Sequence, residues 1–199
     1  ADHVIMSTGE GQNYAAVLSP AQLARWNKAQ QSSEPVEVVT LEEAKAAEKQ
    51  KSDKKKTWVF KADNVRDFAW GSSRKFIWDA LAVKVEGKRV MCMSGYGKEA
   101  YGLYRKYSSK VVAHTIKTYS KFTIPYPYPV AQSIEAANGM EYPMITAIGN
   151  YGSAFELDVT IAHEIFHNWF YGLFGINERK HPWMDEGMNS YYEKRYMAG

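Results

Sequence analysis

The segment TIAHEIFHNWF, residues 160–170, places His163 and His167 four positions apart with Glu164 between them. On an α-helix, positions i and i+4 stack on one side, so both imidazoles can be aimed at one point while Glu164 projects beside them. Imidazole nitrogens suit zinc, which takes a roughly tetrahedral shell. A third ligand has to come from elsewhere, and a second cysteine is not available, because Cys92 is the only one in the chain. Glu186, in HPWMDEGMNSYYEKRY, follows His167 after eighteen intervening residues. Two histidines, one glutamate and a fourth position left for water make a catalytic rather than a structural zinc centre, with one ion per chain. In such a centre Glu164 is placed to take a proton from the water.

The elements that must carry these residues are legible in the pattern around them. Val159, Ala162, Phe166, Trp169, Phe170 and Leu173 recur with the period of one buried helical face, and no proline or glycine interrupts the run before Gly172. Pro182 suits a first helical turn and opens a second helical stretch. A second helix packed across the first brings the Glu186 carboxylate to the histidine pair. Ser190, one turn past Glu186, and Asp185 are candidates to orient a ligand. Tyr191 and Tyr192 read as packing residues.

Three stretches resemble one family, the gluzincin zinc aminopeptidases of aminopeptidase-N type. The first is H-E-x-x-H with eighteen residues before a glutamate in a W-x-x-E-G context, here WMDEG at 183–187. The second is NGMEYP at 138–143, similar to the family's G-x-M-E-N stretch. Gly139, Met140 and Glu141 match, while Asn138 and Tyr142 depart from it. The third is VRDFAWGSSRKFIWD, 65–79, which resembles the end of the family's N-terminal β domain. The resemblance implies that Glu141 pairs with the free α-ammonium group of a peptide substrate. It further implies that the backbone of Gly139 and Met140 takes the peptide as an added strand. It also implies a catalytic tyrosine beyond the third ligand, farther along than residue 199. The chain therefore reads as an excerpt of a longer protein, weakly active or inactive alone. Two other readings stay open: an endopeptidase of thermolysin type, which needs no amine anchor, and an inactive relative that kept the metal site.

The rest of the chain bounds these readings. Hydrophobic content of 45% and aromatic content of 14% are enough for a packed core. The net charge of +3 is mild, and the lysine-rich KAAEKQKSDKKKTW has no aromatic platform, so nucleic acid is not expected as a partner. No apolar run approaches the length of a membrane span, and one cysteine excludes an internal disulfide framework. A periplasmic or cell-envelope setting is favoured over a cytoplasmic one. The expected fold class is α+β. Residues 1–93 are read as the end of an N-terminal all-β domain, with a charged, exposed excursion at 41–56. Residues 94–199 are read as the first part of a thermolysin-like catalytic domain with a mixed sheet and zinc-binding helices. Within it, 98–122 reads as a long helix stopped by PYPYP, and VAQSIEA and PMITAIG as strands flanking ANGMEY. His3, His114 and His181 carry no expected role in the centre, although His181 lies near Glu186.

Overall fold

A computed structural model describes residues 2–49, 51–137 and 139–198; Asn138 lies outside them. In chain order the elements are β1 (Val4–Ser7), β2 (Glu10–Gly11), α1 (Tyr14–Val17), α2 (Pro20–Ala29), β3 (Val36–Val39), α3 (Leu41–Lys49), β4 (Phe60–Lys61), β5 (Trp70–Ser73), β6 (Ile77–Val85) and β7 (Lys88–Tyr96). They continue with α4 (Tyr101–Phe122), β8 (Val130–Glu135), β9 (Met140–Tyr142), β10 (Ile145–Ile148), α5 (Ala154–His167) and α6 (Met188–Ala198).

Six strands form one mixed sheet in the order β3-β6-β7-β8-β10-β9. β6 and β7 pair antiparallel from Ile77↔Tyr96 to Val85↔Lys88. Their turn is Glu86-Gly87, with φ of 46° and 80°. Two consecutive positive φ angles match the right-handed twist of a hairpin, and glycine bears the second at no steric cost. β8 runs parallel to both β7 and β10, and β9 returns antiparallel along β10 as the edge strand. Two small two-stranded sheets, β1-β5 and β2-β4, lie apart from this ladder.

The long α4 covers the sheet. Tyr104, Val112, Thr115, Ile116 and Tyr119 of its expected inner face are buried, and Val111 is half-buried at its margin. α5 packs on α4 through an aromatic cluster. Phe166 lies 4.0 Å from Tyr119, and Trp169 lies 5.9 Å from Tyr119 and 5.2 Å from Tyr126, between ring centroids. Trp169 Nε1 also donates to the Ile124 carbonyl at 2.8 Å. Burying side chains of this size contributes about 1.5–3 kcal/mol each, so the histidine-bearing helix is held along its length.

Two expectations are modified. The excursion at 41–56 is not irregular throughout: its first half is the helix α3, where Leu41, Ala44 and the Glu43–Arg25 pair hold one side against the body. Tyr191 is 56% exposed and does not pack into the core, while Tyr192 does, against Phe166 and Phe170. β7 spans position 94, and the main ladder draws strands from both sides of it. Among the described residues, no helix is long and apolar enough to cross a membrane.

Candidate metal centre and substrate edge

The centre is built where α5 ends. Ser153 caps α5 by accepting from Glu156 N at 3.2 Å, and buried Leu157, Ile161, Ala162, Ile165 and Phe166 fix its rotation. That rotation leaves His163 half-exposed and places His167 and Glu164 inside, at 1% and 8% exposure. Beyond His167 the helix widens into a π turn over Asn168–Leu173, an irregularity often found at functional sites. Asn168 uses the widening to bridge elements. Its Oδ1 accepts from Met144 N at 2.9 Å and its Nδ2 donates to the Ile165 carbonyl at 2.9 Å. Met144 sits in the β9–β10 turn with φ 64°, an uncommon conformation for a side-chain-bearing residue that these contacts sustain. Thr8 Oγ1 donates to the Pro143 carbonyl of the same turn at 2.8 Å. The β9–β10 hairpin is thereby tied to the end of α5.

A second π turn, Trp183–Gly187, leads into α6 and carries Glu186 across the end of α5. Glu186 Oε2 lies 3.2 Å from His163 Nε2, and its Oε1 lies 3.8 Å from His167 Nε2. One donor atom from each of His163, His167 and Glu186 falls within a 4.8 Å triangle, a spacing that one metal ion can span. The far side of each ring is already engaged. His167 Nδ1 meets Asp185 Oδ1 at 2.6 Å, and His163 Nδ1 meets Glu193 Oε2 at 2.7 Å. A carboxylate on Nδ1 fixes the tautomer that leaves Nε2 free to ligate. His167 Nε2 is buried with no hydrogen-bond partner among the described residues, a state that costs free energy unless something else binds there. These donor types and this orphaned nitrogen fit a zinc ion.

Asp185 thus has the orienting position considered for it, whereas Ser190 makes no side-chain hydrogen bond among the described residues. Glu193 was not anticipated. The available signal was its place seven residues, about two helical turns, after Glu186. Asn189 Nδ2 adds a bond to the His163 carbonyl at 2.8 Å. His181 is exposed and, among the described residues, bonds only through its backbone; His3 meets Ser72 Oγ, and His114 lies edge-on to Tyr196.

Glu164 is not a solvated helix residue. Its Oε2 is buried with no hydrogen-bond partner among the described residues. Burial pushes its carboxyl up to about 7, against the pull of His167 and His163 and with the push of Glu141 and Glu186. A base in that range can both accept and return a proton at neutral pH. Opposite it runs β9. A Cβ added to Gly139 would overlap Glu164 Oε1, so with any larger residue there the backbone or the Glu164 side chain has to shift. Glu141, half-buried, faces the same space: one oxygen each from Glu141 and Glu164 and a ring nitrogen of His167 lie within 4.8 Å of one another. Burial raises the Glu141 carboxyl, and His167 opposes that shift. The sequence-predicted residues His163, His167, Glu186, Glu164, Glu141, Gly139 and Met140 are all brought to this one corner, with Met140 exposed on the sheet edge.

Aminopeptidase M1-B of Oryza sativa subsp. japonica is 26% identical over 123 residues, covering 54% of this chain. Aminopeptidase M1-A of the same organism is 27% identical over 122 residues, covering 53%. The chain is a relative of the aminopeptidase-N-type gluzincins. It spans 14% of the length of either rice protein. Among solved structures, Legionella pneumophila aminopeptidase A in complex with aspartic acid superposes with a TM-score of 0.57 over 65% of this chain and 17% of that one. At 12% identity that likeness concerns the fold. No family profile matches the chain.

Proposed function

We propose that the protein to which this chain belongs is a zinc-dependent aminopeptidase, and that His163, His167 and Glu186 hold the ion. The observation that carries the reading is the pair of imidazoles whose Nδ1 atoms are each engaged by a carboxylate and whose Nε2 atoms converge on a third carboxylate. Zinc bound there supplies Lewis acidity toward a carbonyl and toward water at neutral pH. Glu164 takes the proton of the attacking water and returns it to the amine that leaves. Its low exposure keeps bulk water from competing for that proton. β9, an edge strand with one side unpaired in the sheet, takes the peptide backbone at Gly139 and Met140 by strand addition. Glu141 at the same edge receives the substrate's α-ammonium group and closes the groove to chains that continue past it. The catalytic domain is read as thermolysin-like.

Zinc analysis combined with an assay of the full-length protein tests this. Purified protein should hold one zinc and cleave a free aminoacyl-arylamide far faster than its acetylated counterpart. Replacing His163 with alanine should remove the metal. Undiminished zinc in that variant excludes the ligand set, and equal cleavage of blocked and free substrates favours an endopeptidase.

A further inference from the structure

β9 has to hold a peptide in place, yet little in the sheet holds β9. It is three residues long, and among the described residues β10 alone pairs with it. The turn that joins the two strands is poorly suited to a hairpin. Tyr142 pairs with Ile145, so Pro143 and Met144 are its two central residues. Proline followed by a positive-φ residue, here Met144 at 64°, is the pattern of a type II turn. Two-residue hairpins favour the primed turns, whose twist matches the strands, and a type II turn splays them. Its second central position also favours glycine, whereas Met144 keeps a buried side chain there. Contacts from outside the hairpin have to stabilise it.

Those contacts converge on a single peptide group. The Pro143 carbonyl and the Met144 N–H share one plane, and rotating that plane converts a type II turn into type I, where φ at the second position is negative. Thr8 Oγ1 donates to the carbonyl at 2.8 Å, and Asn168 Oδ1 accepts from the N–H at 2.9 Å. The plane is thus gripped from both sides. Gln132 Nε2 adds a longer bond to the Met144 carbonyl at 3.3 Å. Asn168 directly follows His167, so one grip belongs to the metal centre. The other comes from the opposite end of the chain, where Thr8 is fully buried and itself held. Its N donates to the Ala69 carbonyl at 2.9 Å, and its Oγ1 accepts from Ala69 N at 3.1 Å. Gln132 Nε2 donates to the adjoining Ser7 carbonyl at 2.7 Å. On the other side of Thr8, Gly9 has φ 90°, and a Cβ there would run into the Lys61 carbonyl. The small β1-β5 sheet, apart from the main ladder, thereby presents one fixed hydroxyl to the substrate edge.

We infer that Thr8 is a positioning residue for the substrate strand: its hydroxyl, opposite Asn168, locks the Pro143–Met144 peptide and so sets where β9 stands relative to the metal centre. The inference rests on the reading that β9 takes a peptide by strand addition. The Thr8 hydroxyl bonds only the Ala69 and Pro143 backbone, not a proposed metal ligand. Its loss should therefore impair peptide binding without removing zinc.

The test uses the full-length, zinc-loaded protein and two variants: Thr8→Val, which keeps the shape and removes the hydroxyl, and Thr8→Ser, which keeps the hydroxyl. Two ligands separate strand placement from the metal. The tripeptide Leu-Gly-Gly needs β9, and acetohydroxamate binds the metal alone. Misplacement by about 1 Å can cost on the order of 100-fold, and Asn168 still holds one side of the plane, so KM for the tripeptide in Thr8→Val should rise about tenfold. That rise should exceed any fall in kcat. Zinc content and acetohydroxamate affinity should match the wild type, and Thr8→Ser should restore KM. Hydrogen exchange over residues 140–146 should quicken in Thr8→Val, a change readable without substrate. Unchanged KM in folded Thr8→Val overturns the inference and leaves the aminopeptidase reading standing. An equal loss for both ligands, or Thr8→Ser as impaired as Thr8→Val, also overturns it, because the effect is then general or belongs to the methyl group. A wild type that does not cleave the tripeptide sinks the aminopeptidase reading, and exchange then decides: quickened exchange supports the lock and unchanged exchange overturns it. Should Thr8→Val fail to fold, Gln132→Met, which removes the bond to the Met144 carbonyl, carries the same expectation at a few-fold size. No change in that variant overturns the inference.

Discussion

At the residue scale, the chemistry sits in rings whose two nitrogens have different partners. His163 and His167 each face a carboxylate on Nδ1 and the convergent point on Nε2. The convergence of His163, His167 and Glu186 was legible because i, i+4 spacing and a distant glutamate are one-dimensional patterns. Glu193 was not, because its role depends on how α6 is rotated against α5, which the sequence expresses only as a two-turn offset from Glu186. The Asp185 contact was legible only as adjacency. Glu193 therefore offers a specific prediction. Replacing it with glutamine leaves a side chain of similar size but removes the charge that holds the His163 tautomer. Outer partners of this kind typically contribute 10- to 100-fold in metal affinity. Zinc affinity of Glu193→Gln, measured by competition with a chelator, should drop within about that range, whereas Ser190→Ala should leave it unchanged. Equal affinities for wild type and Glu193→Gln would mean that the ring is held by its packing alone.

At the element scale, the long helices and the β6–β7 hairpin followed the sequence closely, because their signals are local: period, a positive-φ turn at Glu86-Gly87, a proline stop after Phe122. The capping box of α2 is equally local. Ser19 Oγ accepts from Gln22 N, and Gln22 Oε1 accepts from Ser19 N. The two π turns were not legible. Each replaces ordinary helical bonding for one turn so that Asn168 can reach Met144 and Glu186 can reach the histidines, and both reasons are tertiary. The helix α3 was missed because a charged stretch rich in alanine, glutamate and lysine reads equally as a solvated loop. The closest junction between elements is that of β9 with α5. Gly139→Ala would drive a methyl group into Glu164 Oε1, so either the edge strand or the base has to move. A shift of about 1 Å near reacting groups can cost on the order of 100-fold. The full-length variant should keep its zinc while kcat/KM for aminoacyl-arylamides falls by roughly that factor. An alanine there with wild-type kinetics would mean that the edge strand yields freely.

At the scale of the whole chain, the two halves are joined by a buried ionic knot as well as by the shared sheet. Asp79 of β6, fully buried, accepts from Tyr96 Oη of β7. Arg105 of α4 approaches Asp79 at 3.8 Å and binds Glu37 of β3 at 2.8 Å, and Tyr101 Oη donates to Glu37 at 2.8 Å. Composition could not reveal this knot, since its members are spread from 37 to 105. Burial pushes the Asp79 carboxyl from 3.8 up to about 7, while Tyr96 and Arg105 pull it down and Glu37 pushes it further up. A carboxyl with a raised folded-state pKa binds its proton more tightly when folded. Its contribution to stability is thus full below about pH 4 and is lost as pH rises towards about 7. At about 1.4 kcal/mol per pKa unit, three units give at most about 4 kcal/mol across that window, and relaxation around the carboxylate brings it to roughly 2–4. Glu164, also raised to about 7, and His167, raised as well, slope in the same direction in metal-free protein, so the wild-type slope alone does not isolate Asp79. Asp79→Asn does, because asparagine keeps an acceptor for Tyr96 Oη and has no proton to lose. Denaturant unfolding of both proteins at about pH 5 and about pH 8 should show the wild type losing roughly 2–3 kcal/mol more than the variant as pH rises. Parallel losses in the two proteins would place the Asp79 proton outside this range and leave the knot as a permanently ionised pair with Arg105.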